Sequence, residues 1–154
     1  MDQELRNAAR EHLIRYGGDM FDNLFIEAKG CIVRDDTGRE ILDFTSGQMC
    51  ATIGHNHPNI VKAIEHAGQT AYHLFSGMIP EAVANLARRI ATDWMPAGLN
   101  KSLWINTGSE SNEAALRMAK MYTGGYEVIA IGGSWHGVTG NASAASLASD
   151  RRGY

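Results

Sequence analysis

Between Ser102 and Ala115 the chain reads Ser-Leu-Trp-Ile-Asn-Thr-Gly-Ser-Glu-Ser-Asn-Glu-Ala-Ala, and few folds accommodate such a run. An apolar stretch suited to a buried strand gives way to a glycine-bearing turn, then to a helix expected over about 111–122. The backbone N–H groups of Gly108, Ser109 and Glu110 would lack intrahelical partners there. The hydroxyls of Thr107 and Ser109 stand beside them. Unpaired amides at the positive end of a helix dipole suit a phosphate. Thr107 and Glu110 also have the spacing of a capping box, which needs no ligand. The turn alone does not choose between cap and cradle.

Two common phosphate loops are excluded. A nucleoside-triphosphate loop needs Gly-x-x-x-x-Gly-Lys followed by Ser or Thr, and no such run occurs. A dinucleotide turn needs Gly-x-Gly-x-x-Gly, which Glu110 interrupts.

Composition narrows the partners. At 44% hydrophobic and 20% charged residues over 154 positions, the chain has the means to form a real core and is not of the disordered class. A formal charge of −3 leaves no basic stripe for nucleic acid, and Arg88-Arg89 reads as solvated helix surface. The start, Met-Asp-Gln-Glu-Leu, is acidic and unlike a secretory signal. No apolar run approaches the roughly 18 residues that span a bilayer. Cys31 and Cys50 form no Cys-x-x-Cys pair, so two reduced thiols in the cytoplasm are expected, with Cys50 a small buried residue.

Along the chain, residues 2–16 suggest a helix ended by Gly17-Gly18. Phe25-Ile26, Cys31-Ile32-Val33 and Ile41–Phe44, with a turn at Asp35-Asp36-Thr37-Gly38, predict a small antiparallel meander. Pro58 suits the first turn of a helix whose apolar face carries Ile60, Ile64, Ala67 and Ala71. A second amphipathic helix is predicted from Val83 through Trp94. From residue 102 the order is strand, helix, strand over Glu127–Ile131, glycine loop and a helix rich in Ala and Ser. Strands alternating with helices indicate an α/β layered domain with a mixed or parallel sheet. Two domains are expected: 1–57, a helix with the meander, and 58–154, the first part of a large α/β domain. Two sheet strands leave an apolar edge and face uncovered, so the chain is expected to be an incomplete part of a larger fold.

A second glycine loop, Gly132-Gly133-Ser134-Trp135-His136-Gly137, follows the later strand. Ligands in open α/β sheets sit outside such strand ends. A tryptophan framed by glycines suits stacking on a planar ring. Phosphate plus planar ring suggests pyridoxal phosphate.

Thr107–Ala115 followed by Trp135-His136-Gly137 resembles the class III aminotransferases, of fold type I. Asp35–Gly38, Leu42-Asp43-Phe44 and Gly54-His55-Asn56-His57-Pro58 are similar to that family's amino-terminal segment. Within it, Asp43–Met49, His73–Met78 and Ser134–Gly137 most resemble the 2,2-dialkylglycine decarboxylases. The resemblance covers essentially the whole chain. It implies that Thr107, Gly108 and Ser109 hold the cofactor phosphate, although those decarboxylases carry Ala where Ser109 stands. Trp135 would stack on the pyridine ring, His136 would support the site, and Asn112 would lie near the cofactor. Gln48 would contact the reacting carboxylate, with Met49 lining the pocket. The resemblance thus makes Gln48, Trp135 and His136 the catalytic residues. The Leu74 carbonyl and Ser76 would serve an alkali-metal site for potassium or sodium.

The implied reaction is decarboxylation-dependent transamination with pyruvate as amino acceptor, the alternative being another class III aminotransferase acting on an ω-amino acid. Family members are oligomers, so a homo-oligomer is expected. The Schiff-base lysine and the acid opposite the pyridine nitrogen lie further along the family's chain. Lys29, Lys62, Lys101 and Lys120 do not match that lysine. This polypeptide alone is therefore expected to be inactive, and a non-catalytic module keeping an anion site or an oligomer interface stays open. His55-Asn56-His57 has no third ligand in register and reads as loop-shaping polar residues rather than a zinc pair.

Overall fold

The computed structural model describes residues 3–14, 20–70 and 73–146. The chain divides into two compact units, Met1–Pro80 and Glu81–Tyr154, so the helix at Pro58 groups with the meander.

The first unit opens with α1 (Gln3–His12), whose Glu4 lies in the first turn and Arg10 and His12 in the last, as the helix dipole favours. Its expected end at Gly17-Gly18 lies outside the described residues. One Arg6 nitrogen meets both oxygens of the Asp36 carboxylate at 2.7 Å and thereby ties α1 to the meander. The meander runs β1 (Phe25–Lys29), β2 (Ile32–Asp35) and β3 (Glu40–Leu42), antiparallel throughout and in the order β1-β2-β3. Ile32 faces Leu42 and Val33 faces Ile41 across β2 and β3.

Asp35 closes the β2–β3 turn from a fully buried position. Its carboxylate accepts from the Thr37 hydroxyl at 2.6 Å, the Thr37 and Arg39 N–H groups at 2.9 and 3.0 Å, and the Asn23 amide at 2.7 Å. The Thr37 hydroxyl above all, against the opposing effect of burial, holds this carboxyl below its ordinary range.

A short helical turn, α2 (Ser46–Met49), and a loop lead to α3 (Pro58–Thr70), with proline at its first position as expected. His57 Nδ1 accepts the Asn59 N–H at 3.3 Å and serves a donor the helix start cannot satisfy.

In the second unit, α4 (Glu81–Arg89) stops about midway along the predicted amphipathic run and continues as a π turn, η1 (Ile90–Trp94). The Thr92 hydroxyl donates to the Arg88 carbonyl, a back-bond of the kind that loosens helices. The predicted surface role of Arg89 holds: it pairs with Asp93 at 3.7 Å and lies 5.8 Å over the Trp94 ring. α5 (Gly108–Thr123) and α6 (Gly140–Ala145) complete the unit.

The two predicted strands of this unit do not form. Residues 101–105 and 127–131 have no ladder partner among the described residues. Far from being buried, Leu103, Trp104 and Ile105 are exposed, and Ile129 is 98% exposed. A strand exists only by hydrogen bonding to a neighbour, and these two do not supply it to each other. An open cleft of about 360 Å³ lies along α5, lined by Asn112, Leu116, Val128, Ile129 and His136 among others.

Candidate functional site

α5 begins at Gly108, earlier than its apolar periodicity suggests, because the capping box forms. Thr107 Oγ1 accepts the Glu110 N–H at 3.1 Å, and the Glu110 carboxylate accepts the Thr107 N–H at 2.9 Å. Glu110 is thereby removed from the three amides expected to be free. The N–H groups of Gly108 and Ser109 remain, pointing out of a sixteen-residue helix whose dipole is intact. A Cβ at Gly108 would meet nothing within 4 Å. Cap and cradle coexist on one turn.

The loop carrying Trp135 and His136 is fastened to that turn. Asn112 donates its amide to the His136 carbonyl at 2.6 Å, and Val138 donates its N–H to Ser109 Oγ at 3.1 Å. From the other side, the His136 N–H donates to Ser146 Oγ at 2.8 Å. Gly137, buried with φ +137°, lies so close to Ser109 that an added Cβ would stand 2.8 Å from the Ser109 Cα. The loop therefore reaches α5 by glycine contact as well as by hydrogen bonds.

Asn112, expected near a cofactor, donates its side-chain amide to the loop backbone. Trp135 stays about half exposed. Glu113, one residue further on, accepts the Ala142 N–H at 3.0 Å and the Asn141 amide at 2.9 Å, and so caps α6. The Ala142 N–H first, then the Asn141 amide, hold the Glu113 carboxyl below its ordinary range. Sequence reading missed Ser146 and Glu113, because their partners are distant in the chain and no spacing rule links them.

In the first unit, Gln48 and Met49 are exposed on α2, whose dihedrals are left-handed: Ser46 has φ 50°, Gly47 56°, Gln48 58° and Met49 68°. Each non-glycine residue there costs roughly 1–2 kcal/mol. Asp43 stands under the turn, accepting from the Thr45 N–H and hydroxyl at 2.8 and 2.6 Å and from the Gly47 N–H at 3.1 Å. His55 Nε2 lies 2.7 Å from its other side. The Thr45 hydroxyl, then His55, draw the Asp43 carboxyl far below its ordinary range. Asp-x-Thr occurs at both Asp43 and Asp35, a spacing that signals an aspartate turn, yet only the structure shows the work it does.

The His55-Asn56-His57 segment shapes its loop, as expected. Asn56 donates to the Ala28 carbonyl at 2.7 Å, and no group of three or more metal-ligating side chains occurs among the described residues. Cys50 is exposed, contrary to expectation; its thiol lies 3.7 Å from the Gln48 carbonyl, and a left-handed turn that projects outward cannot bury it. Leu74 and Ser76 sit in the exposed 73–80 loop, where Met78 N–H donates to the Phe75 carbonyl. One carbonyl and one hydroxyl are oxygen donors of the right hardness for an alkali ion, but they fall short of the roughly six ligands a hard cation takes.

The comparisons decide the family. Residues 15–152 match the family described as Aminotransferase class-III. The chain belongs to the class III aminotransferases. An uncharacterised aminotransferase of Schizosaccharomyces pombe is 51% identical over 148 residues, covering 96% of this chain and 33% of that protein. The acetylornithine aminotransferase of Bacillus anthracis is 35% identical over 135 residues, 84% of this chain and 33% of its own length. Among solved structures, a taurine:2-oxoglutarate aminotransferase from Bifidobacterium kashiwanohense, in complex with PLP and glutamate, superposes with a TM-score of 0.85 at 28% identity. That match covers 94% of this aminotransferase chain and 33% of the solved one. The chain thus spans about a third of the relatives it matches, with the fold type I architecture of the transaminases.

The second unit of this class III aminotransferase fits pyridoxal phosphate by its own chemistry. Two outward amides and an open glycine position meet the needs of a phosphate, and a half-exposed tryptophan is held nearby on the same α5 scaffold. Among the lysines, Lys120 lies some three turns along α5, about 16 Å from the phosphate end, and donates to Asn141 Oδ1 at 3.2 Å. It does not serve that site.

Proposed function

We propose that the chain is the amino-terminal portion of a pyridoxal-phosphate enzyme that decarboxylates 2,2-dialkylglycines and passes their nitrogen to pyruvate. The observation that carries this reading is the left-handed turn presenting Gln48, an amide suited to a carboxylate, at high backbone cost. Bound pyridoxal phosphate supplies an electron sink for the pair left by the departing group. A quaternary dialkylglycine has no α-proton, so carbon dioxide is the only group it can lose.

The residues of the chain divide the remaining work. Gly108 and Ser109 N–H groups bind the phosphate, and the Ser109 hydroxyl, already accepting from Val138, keeps its proton for a further oxygen. Thr107 frames that turn. Trp135 stacks on the ring and fixes its plane, while His136 supports the site and Asn112 holds the His136 carbonyl. Gln48 would contact the reacting carboxylate of the substrate, and Met49 would line the pocket beside it. Leu74 and Ser76 would contribute oxygens to an alkali ion only if other ligands complete the shell. In this reading residues 58–154 begin the large cofactor-binding domain, the working enzyme is a cytoplasmic homo-oligomer, and the anchoring lysine lies outside the present sequence.

A second reading has its own support. Several relatives at 33–35% identity are named acetylornithine aminotransferases, which favours an ω-amino donor. Assaying the full-length polypeptide with 2-aminoisobutyrate and pyruvate for carbon dioxide and alanine, beside N-acetylornithine with 2-oxoglutarate, separates them. Carbon dioxide in step with alanine supports the decarboxylase; amino transfer from N-acetylornithine without carbon dioxide overturns it.

A further inference from the structure

The turn at Ser46–Met49 has a backbone cost that its own composition does not offset. Of its four left-handed residues only Gly47 takes that conformation freely. Burial offers no compensation either, since Gln48 and Met49 are exposed. Strain of this kind persists only where the surroundings over-determine it, and it gathers where side chains must be aimed.

The surroundings are identifiable. His55 is fixed to the meander by two backbone hydrogen bonds with Gly30, at 3.0 and 2.8 Å. Its imidazole, 2.7 Å from Asp43, holds one carboxylate oxygen, which in turn accepts the Gly47 N–H. The other oxygen accepts both Thr45 donors. A Cβ on Gly47 would come 3.8 Å from the His55 ring, so the ring also walls the turn. Finally, the Met49 N–H donates back to the Thr45 carbonyl at 2.9 Å and closes the turn.

We propose that Asp43, braced by His55, is a positioning residue that keeps Ser46–Met49 left-handed and so fixes where Gln48 meets a substrate carboxylate. The inference rests on the reading of Gln48 given above. Without the carboxylate, the Gly47 peptide is released and the segment relaxes toward an ordinary right-handed turn.

Nuclear magnetic resonance on the isotopically labelled full chain tests this, because residues with positive φ give a strong amide-to-α-proton effect within the residue. Gln48 and Met49 should show it in the native chain and lose it in Asp43→Asn and in His55→Asn. Dispersed Val33 and Ile41 amides would show that the meander still folds in both variants. Adding Ser46→Gly to Asp43→Asn should restore the signal, since glycine removes part of the backbone cost. The Gln48 side-chain amide should shift saturably with 2-aminoisobutyrate in the native chain, less in Asp43→Asn, and again in the glycine double variant. Retention of the signal in both single variants would overturn the proposal, as would failure of glycine to restore it in a folded meander. A native Gln48 amide indifferent to the amino acid, with the backbone signals behaving as expected, would support the hold of Asp43 and overturn the reading of Gln48.

Discussion

The carboxylate of Asp43 lies 2.7 Å from Nε2 of His55, twelve residues away. This contact joins the meander, through the Gly30–His55 bridge, to the exposed turn carrying Gln48. It has a consequence for acid stability. The Asp43 carboxyl titrates far below its ordinary value of about 3.8, so it stabilises the fold above that value and loses its contribution as pH falls toward its folded pKa. Urea midpoints of the chain should therefore decline as the medium is acidified below about pH 4. In Asp43→Asn the midpoint should be lower at neutral pH and the acid decline shallower. An equally steep decline in the variant would show that Asp43 is not the group responsible.

The α5 cap offers a second measurement. Thr107→Ala removes the acceptor for the Glu110 N–H and should cost about 1 kcal/mol, while Thr107→Ser keeps most of it. Equilibrium urea unfolding followed by circular dichroism reads the difference, and equal midpoints for Ala and Ser would contradict the capping role.

Gly137→Ala should be worse. The added methyl meets the Ser109 Cα at 2.8 Å, at a φ of +137° that other residues avoid, and overpacking alone costs about 1–3 kcal/mol. Trimming the neighbour with Ser109→Ala should not rescue it, because the obstruction includes main chain. Full recovery in the double variant would mean that only the Ser109 hydroxyl stands in the way.

Lysine chemistry gives a fourth test. Incubating the chain with pyridoxal phosphate and borohydride should yield no stoichiometric adduct at Lys29, Lys62, Lys101 or Lys120. Mass spectrometry locates any label, and one fully modified lysine would defeat the expectation.

Much of the site was legible as local pattern. The Thr107–Glu110 spacing announced the cap, Pro58 announced α3, and Asp35–Gly38 announced the turn between β2 and β3. Such features are satisfied within a few residues, so local chemistry suffices to read them. The apolar segments at 102–105 and 127–131 record a preference for a sheet, whereas a strand needs a hydrogen-bonded neighbour, which neither finds among the described residues. Cys50 is exposed, not buried as its residue type suggests, because it follows a left-handed turn that no residue pattern there announces.

The run at 102–115 by itself determined a capped helix start and left the choice between a plain cap and a phosphate cradle open. Motif resemblance carried that to the family, which the comparisons then bore out. Tertiary structure decided what the cap leaves free, which is two amides rather than three, and gave Asn112 to the His136 carbonyl. It also set Gln48 on a strained turn over Asp43 and His55. These outcomes depend on groups far apart in sequence competing for the same donors and acceptors, and only the folded chain resolves that competition.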